Sequence, residues 1–406
     1  MTRIIDEFSW QAAAAGLLAA FVGCAGSYAI VVQGLRAVGA DAGEAASGLM
    51  AAAVAMGLCG IFLSARTRMP VAAAWSTSGA AFLATAPAPA GGFNEAVGAF
   101  LVAGALLVAS GLWKPLGRAV AAIPSPLASA MLAGVLLPLC VAPFEAALEL
   151  PHLALPVLLV WAAVARFRRL LAVPAAVITA VAAIALTHEP AASQSGGWPL
   201  WAAPRWVAPQ FSAAGVIGIA LPLFVITMAS QNIAGIATLR SFGYRPAPGA
   251  LFAQSGAFGL VAAPFGSHAV NLAALTAALC AGEDAHPDPA RRYWAGMVAG
   301  VGCVAFGLCA GGTVAFLRIA PPLLIEALAG LALFGALAGA LLAALSAARG
   351  REAALVTFLG TASGISFFGI GGGFCGLAVR GTLYFFEGRG VIPRWFRSVI
   401  FSPNIS

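Results

Sequence analysis

Charge is what this sequence has least of. Of 406 residues, 21 are Lys or Arg and 14 are Asp or Glu, so 21 + 14 = 35 carry a formal charge, 9% of the chain. A soluble domain carries about 25%, and a chain this long could not cover a water-facing surface with so few. Disorder is excluded as well, because it needs low hydrophobicity and high charge, whereas 61% of these residues are hydrophobic. The seven cysteines form no CxxC pair and mostly fall inside apolar runs. Neither a disulfide framework nor a zinc site is indicated. The opening MTRIIDEFSW has no small-residue cleavage site, so the first apolar run reads as a retained span rather than a signal peptide. Gly371-Gly372-Gly373 has no downstream Lys-Ser/Thr and follows no strand pattern, which excludes a phosphate loop. A net charge of +7 would suggest nucleic acid in a soluble protein. Here the arginines are scattered through short loops, so nucleic acid is not a partner.

What the sequence has is apolar runs bounded by Pro, Gly or charge. Fourteen spans of about 20 residues would use roughly 280 residues and leave fewer than about ten per connection. The runs fall near 10–34, 45–63, 70–86, 95–113, 124–143, 153–167 and 171–187. They continue near 212–238, 249–263, 266–281, 293–317, 321–345, 352–369 and 371–386. The basic residues support this count. With the N-terminus inside and every run crossing, 18 Lys and Arg fall in inside regions and three, Arg36, Arg205 and Arg318, fall outside. That asymmetry is the positive-inside pattern and places both termini in the cytoplasm. The expected fold is an all-α polytopic membrane protein of 14 transmembrane segments.

The two halves resemble each other. Residues 99–113 lie over 295–309, and 126–134 over 322–330, both at an offset of 196; Pro70 matches Pro264. Such matches at one offset indicate a duplication. Seven segments per copy is an odd number, so the second copy enters from the opposite face. The expectation is two inverted 7-segment repeats, 1–203 and 204–390, followed by a tail at 391–406. Secondary transporters built this way place their site where broken helices meet near the bilayer midplane.

Polar residues inside apolar spans are costly unless paired or facing a cavity. Three clusters stand out. The first is Trp75-Ser76-Thr77-Ser78-Gly79 in the third run. Pro70 disfavours helix before it and Ser, Thr and Gly suit an N-cap, so it reads as an extended stretch leading into a half-helix. The second is Pro264-Phe265-Gly266-Ser267-His268-Ala269-Val270-Asn271 in the tenth run, with the same expected shape. Two half-helix N-termini facing each other would offer free N–H groups and positive dipole ends to an anion. No Lys or Arg falls clearly inside a span, so helix ends and neutral side chains must do that work. The third cluster is Ser230-Gln231-Asn232 in the eighth run. Consecutive residues cannot share one helical face, so some serve helix contacts and others a cavity. Glu326 is the one acid clearly inside a span, which makes it, with His268, a candidate for handling protons. No nucleophile, metal cluster or acid pair suggests an enzyme, and neither a metal nor a cofactor is expected.

At these residues the sequence resembles the benzoate:proton symporter (BenE) family. Thr227-Met228-Ala229-Ser230-Gln231-Asn232-Ile233 with Gly235, Leu239-Arg240 and Gly243-Tyr244 is similar to its eighth-span signature. Pro264-Phe265-Gly266 with His268-Ala269 and Asn271-Leu272-Ala273 is similar to its second signature, and Trp75-Ser76-Thr77 with Gly79-Ala80 to its third-span pattern. The likeness covers residues 10 to 380. It departs at Ala234 and Ser78, where Pro is usual, and at Ser267, where Gly is usual; the stretch from Arg380 onward is less family-like. The resemblance implies the fold of the uracil- and sulfate-type transporters. In that fold about 10–120 and 212–318 form a core, 121–203 and 319–390 a gate, and short strands lead into half-helices in segments 3 and 10. It implies import of a benzoate-like aromatic carboxylate with a proton across a bacterial inner membrane. A nucleobase or inorganic-anion carrier of the same fold, or a passive anion channel, is the alternative. A homo-oligomer is compatible with it. On this reading the carboxylate meets Ser76, Thr77, Ser78, Gly79 and Asn271. Ser230, Gln231 and Asn232 line the pocket, the ring packs near Tyr28, Phe265 and Gly266, and His268 or Glu326 carries the proton.

Overall fold

The structure is a computed structural model. It describes residues 8–25, 27–113, 125–168, 171–187, 201–312, 321–346, 351–363, 366–367 and 370–371. The fourteenth expected segment, apart from Gly371, and the tail lie outside the described residues. So do the expected inside charges Arg3, Lys114, Arg118, Arg169, Arg349, Arg380, Arg389, Arg394 and Arg397, and the expected outside charge Arg318.

The described chain is mostly helical. It opens with α1 (Trp10–Ala25), α2 (Tyr28–Ala37) and α3 (Ala42–Thr67), then β1 (Ala73–Trp75) and α4 (Thr77–Thr85). Next come α5 (Gly92–Leu112), α6 (Ser125–Glu149), α7 (Pro151–Phe167) and α8 (Ala172–Thr187). The second half begins with α9, continuous over Ala213–Ser241, followed by α10 (Pro248–Ala262), β2 (Val270–Leu272), α11 (Leu275–Ala281) and α12 (Tyr293–Leu308). It continues with α13 (Pro322–Leu345) and α14 (Arg351–Ala362), then the two-residue strands β3 (Ser366–Phe367) and β4 (Ile370–Gly371). Among the described residues five helices are long and apolar enough to cross a membrane, or six if the bent pair Pro322–Gly335 and Leu337–Leu345 counts as one span. Shorter apolar pieces, such as α7 and α8, stand where further crossings were expected.

The first run, expected near 10–34, is one span over Trp10–Ala37, with an irregular turn at Ser27 between α1 and α2. The Ser27 hydroxyl donates to the Gly23 carbonyl at 2.7 Å and accepts from the Trp75 indole N–H at 2.9 Å. A side chain that bonds the preceding turn competes with the backbone ladder. The eighth run is one helix, but it widens into π-helical turns at Val216–Ala220 and Met228–Asn232. The second of these holds the Ser-Gln-Asn triplet. Such wide turns inside α-helices are frequent at functional sites.

At the centre, β1 and β2 pair antiparallel, with Ala73 opposite Leu272, Ala74 opposite Asn271 and Trp75 opposite Val270. Ala273 N–H extends the pairing to the Ala72 carbonyl at 3.0 Å. The half-helix after β1 starts at Thr77, within the Trp75–Gly79 cluster. The one after β2 does not start within Pro264–Asn271. There a 3₁₀ turn (Ala263–Phe265) ends at Gly266, whose φ of 92° is left-handed, and helix resumes only at Leu275. The strand pairing accounts for the delay, since residues 270–273 give their backbone groups to β1 rather than to a helix. Gly266 is needed twice over. Its φ suits glycine, and a Cβ there would lie 3.1 Å from the Gly48 Cα.

Helices approach through glycines. α3 packs on α12, and α5 on α10. A Cβ on Gly57 of α3 would lie 2.5 Å from the Gly300 carbonyl oxygen of α12. The same kind of contact joins Gly256 of α10 to Gly104 of α5, where the gap would be 3.2 Å. Gly104 and Gly300 are 196 residues apart, the offset of the sequence duplication. Small residues let helices approach closely enough for dispersion contacts to hold them where hydrophobic exclusion cannot. A large apolar cluster runs through α1–α5, β1, α9, α10 and β2 and takes in residues of α6, α12 and α13. A second is built by α6, α7, α8 and α13 around Leu153, Val157, Ala176, Leu324 and Leu328. We expect Gly57→Val and Gly256→Val each to cost about 1–3 kcal/mol by overpacking, read as a lower unfolding temperature in detergent. A melt unchanged in both variants would show these helices to be loosely apposed.

Candidate functional site

Within the helices lies a cavity of about 1250 Å³. Its walls come from α1, α3, β1, the first turn of α4, α9, residues 273–276 and α12, and from α6, α7, α8 and α13. Most of the wall is Ala, Gly and Leu. The polar groups on it are few: Ser27, Thr77, Ser78, Ser129, Ser230, Gln231 and Thr276. Arg166, exposed near the end of α7, contributes the one formal charge on the wall. A mostly apolar cavity with a few convergent polar groups is the usual form of a small-molecule site.

The polar end of this cavity is α4. Ser76 caps that nine-residue helix: its Oγ accepts from Gly79 N–H at 3.0 Å and its carbonyl from Ala80 N–H at 2.8 Å. The Thr77 and Ser78 amides have no carbonyl to reach within the helix, because the first N–H groups of any helix lack intrahelical partners. They sit at the positive end of the helix dipole, beside hydroxyls that line the cavity. α11, seven residues long and uncapped by a side chain, brings Thr276 to the same wall. The Thr276 hydroxyl is buried with no protein partner. It is the second residue of its helix, as Ser78 is of α4.

Of the residues singled out from the sequence, the structure brings Thr77, Ser78, Ser230 and Gln231 together on the cavity wall. Ser76, Asn232 and Asn271 stand behind it and hold the frame. Ser76 Oγ accepts from the Thr227 hydroxyl at 3.0 Å. Asn232 is fully buried, and its Oδ1 accepts from Leu272 N–H at 3.1 Å, on the edge of β2. Asn271 lies within β2, and with its amide in the bonded orientation it accepts from Ser76 N–H at 3.3 Å and donates to the Val270 carbonyl. Contact with a ligand was expected of these three; the Ser76 side chain instead caps α4 and meets Thr227, and the two asparagines bond backbone at the strand pair and its exit.

Tyr28 is also set back. Its ring lies 5.0 Å from that of Trp75, which itself lines the cavity. Gly79 is turned toward Leu223 of α9. Phe265 and Gly266 lie away from the cavity: Phe265 packs edge-on against Trp206 at 5.6 Å, and its carbonyl accepts from Ser47 Oγ at 3.0 Å. His268 sits behind the strands, 1% exposed, with Nε2 3.0 Å from the Ser76 carbonyl. Glu326 is half-buried in the second turn of α13, near Glu145 of α6, and does not line the cavity.

Ser27, which the sequence matches to Ser230 between its two halves, positions the Trp75 indole. Three features escaped the reading of the sequence for want of a signal. Thr276 had none beyond its place after the second motif. Arg166 reaches the cavity although it lies at a helix end. Glu95, placed at the very start of the fourth run, is buried in the first turn of α5. Its carboxylate accepts from Gly91 N–H at 2.7 Å and from the Ser212 hydroxyl, which caps the start of α9 through Gly215 N–H at 2.7 Å. It therefore joins two helix starts.

The Asn232–Leu272 bond holds the rim of the site. Asn232→Leu leaves a buried N–H unpaired, at about 1–3 kcal/mol. We expect a clear loss of thermal stability, largely recovered in Asn232→Asp, whose oxygen can still accept. Equal stability of the Leu and Asp variants would show that the bond is not made.

The profile of the BenE family, benzoate membrane transport protein, matches residues 6–386. Inner membrane protein YdcO of Escherichia coli (strain K12) is 38% identical over 370 residues, which cover 91% of this chain and 94% of that one. The benzoate membrane transport protein of Acinetobacter baylyi is 32% identical over 383 residues, covering 94% and 96%. The transmembrane domain of a cyanobacterial bicarbonate transporter, BicA, superposes with a TM-score of 0.55 at 15% identity, covering 87% of this chain and 95% of its own. That likeness is one of fold.

Proposed function

The chain belongs to the BenE family of membrane transporters, and from that premise we propose that it carries benzoate or a related aromatic carboxylate together with a proton. It is a transporter and not an enzyme. The observation that carries the substrate reading is the shape of the cavity's polar end. One helix N-terminus with two adjacent hydroxyls, Thr77 and Ser78, faces Ser230 and Gln231 of α9, and apolar walls surround them. A carboxylate accepts hydrogen bonds only. It finds here the first N–H groups of α4, the Thr77 and Ser78 hydroxyls, the Gln231 amide and a positive dipole end, while the Ser230 hydroxyl donates to the Ile226 carbonyl at 2.7 Å; its aromatic ring finds Ala, Leu and Trp75. The site holds an anion without a buried cation, so it avoids the several kcal/mol of desolvation that a buried ion imposes. Arg166 at the rim raises the local concentration of anions before they reach the neutral site.

The cavity, walled by helices of both groups, supports a reading of how access alternates. In this reading α1–α5 and α9–α12 carry the site, and α6–α8, α13 and α14 move against them as a gate. The duplication favours seven segments in each half with inverted orientation and both termini in the cytoplasm of a bacterial inner membrane. A rocking pair of bundles around a fixed site is how such repeats alternate access.

Each hydrogen bond from a neutral donor to a charged carboxylate is worth about 1.5–3 kcal/mol. We therefore expect Gln231→Ala to raise the KM for benzoate roughly tenfold or more, and the Ser230, Gln231 double alanine variant more still. The assay is uptake of labelled benzoate into proteoliposomes, with an inward acid gradient raising accumulation. Unchanged uptake by the double variant would exclude this site, and uptake indifferent to the gradient would exclude proton coupling. Thermal stabilisation by uracil or sulfate but not benzoate would overturn the substrate class.

A further inference from the structure

Behind the β1–β2 pair, on the side away from the cavity, lies a second chamber. It is small, about 20 Å³, and is walled by α5 (Phe100, Leu107), α9 (Leu223, Thr227), α10 (Gly256) and β2, with His268 at one side. A space of about 10–15 Å³ or more admits one water molecule, provided that polar partners are present. Two face it. The Thr227 hydroxyl donates to Ser76 Oγ at 3.0 Å, which leaves its lone pairs open. The other is His268, which lines the chamber and whose Nδ1 is a buried nitrogen with no protein partner among the described residues.

The tautomer follows from the bond on the other side of the ring. Nε2 lies 3.0 Å from the Ser76 carbonyl, and a carbonyl can only accept. Nε2 therefore carries the hydrogen of the neutral ring, and Nδ1 is the bare, basic nitrogen. No other titratable or charged side chain lines the chamber. Glu95, the acid of α5, is taken up by Gly91 and Ser212. Among the residues of α9, α10 and β2 that wall the chamber, Thr227 carries the only polar side chain. The Phe100 ring stands 6.4 Å from the imidazole, near perpendicular to it.

We propose that this chamber is the proton site of the transporter: His268 takes the proton at Nδ1, bridged to Thr227 by one buried water, and Glu326 does not take part. The proposal rests on the reading of the larger cavity as the carboxylate site. The two sites meet in one residue. The Ser76 carbonyl receives the His268 ring, and the Ser76 side chain caps the helix whose first N–H groups face the carboxylate. Protonation places a positive charge behind the strand pair, and a carboxylate places a negative charge in front of it, both shielded from water. Each therefore favours the other, and the coupling is reciprocal. The step balances, because one proton moves onto Nδ1 from the buried water, which is reprotonated from the side then open, and no bond in the substrate changes.

The test measures benzoate binding to purified protein against pH, between about pH 6 and pH 8, the window around neutrality in which surroundings can switch an imidazole's charge. If one proton is taken up with the anion, affinity rises by up to about tenfold for each unit of falling pH. We expect that slope in the wild type and in Glu326→Gln. In His268→Gln we expect binding without the slope and loss of accumulation driven by an acid gradient. A wild-type slope in His268→Gln, or its loss in Glu326→Gln alone, overturns the proposal. Should His268→Gln not fold, ¹⁵N NMR of histidine-labelled wild type decides directly. A histidine Nδ1 that gains a proton when benzoate is added, and does so still in a sample with the other three histidines replaced, supports it; an Nδ1 that stays bare overturns it. Wild-type protein that binds no benzoate at all refutes the carboxylate site instead, whereas benzoate binding with no pH slope refutes only the proton site.

Discussion

An extended stretch of backbone inside a membrane must have its N–H and C=O groups satisfied by protein. In this molecule that constraint is met by one short ladder, the antiparallel pairing of Ala73–Trp75 with Val270–Leu272. Two segments far apart in sequence each leave a broken span, and neither could do so alone. The requirement spreads outward. Asn232 caps the outer edge of the ladder through Leu272, and Asn271 and His268 tie it to Ser76. The breaks create helix ends away from the bulk solvent, and a helix end is the only strong positive pole that so uncharged a chain can place there.

The polar residues consequently divide by the side of the ladder they serve. Thr77, Ser78, Ser230, Gln231 and Thr276 line the larger cavity, Ser230 while also donating to the Ile226 carbonyl, whereas Ser76, Asn232, Asn271, Thr227 and His268 stand off it and bond among themselves or to backbone. The second group gives the first its geometry, since a ligand-facing donor is useful only if its backbone is held in place. Glycine contacts at Gly57–Gly300 and Gly104–Gly256 bring the helices on either flank close enough to close the frame.

Much of this was legible from residue types. Pro70 followed by Trp75-Ser76-Thr77 marked an extended stretch and a helix start, and the helix begins at Thr77. Three consecutive polar residues in one helix implied divided duties, and Asn232 turns one way while Ser230 and Gln231 turn the other. The reading failed where pairing overrides local preference. Nothing in Pro264–Asn271 announces that residues 270–273 will bond to Ala72–Trp75, so the second half-helix was expected several residues too early. Ser76 and Asn271 looked like ligand contacts because the strand groups that consume them come from the other half of the chain.

The sequence by itself determined that this is a polytopic helical membrane protein, that its polar residues gather in the third, eighth and tenth runs, and that almost no formal charge lies within a span. Those conclusions need only composition, spacing and the cost of charge in hydrocarbon. Only the tertiary structure decided which polar groups face the cavity, that Arg166 and Thr276 join them, and that His268 lies behind the strands while Glu326 lies apart from them. The reason is that each of those facts depends on which distant residue supplies the second hydrogen-bond partner, and a single sequence does not state who meets whom.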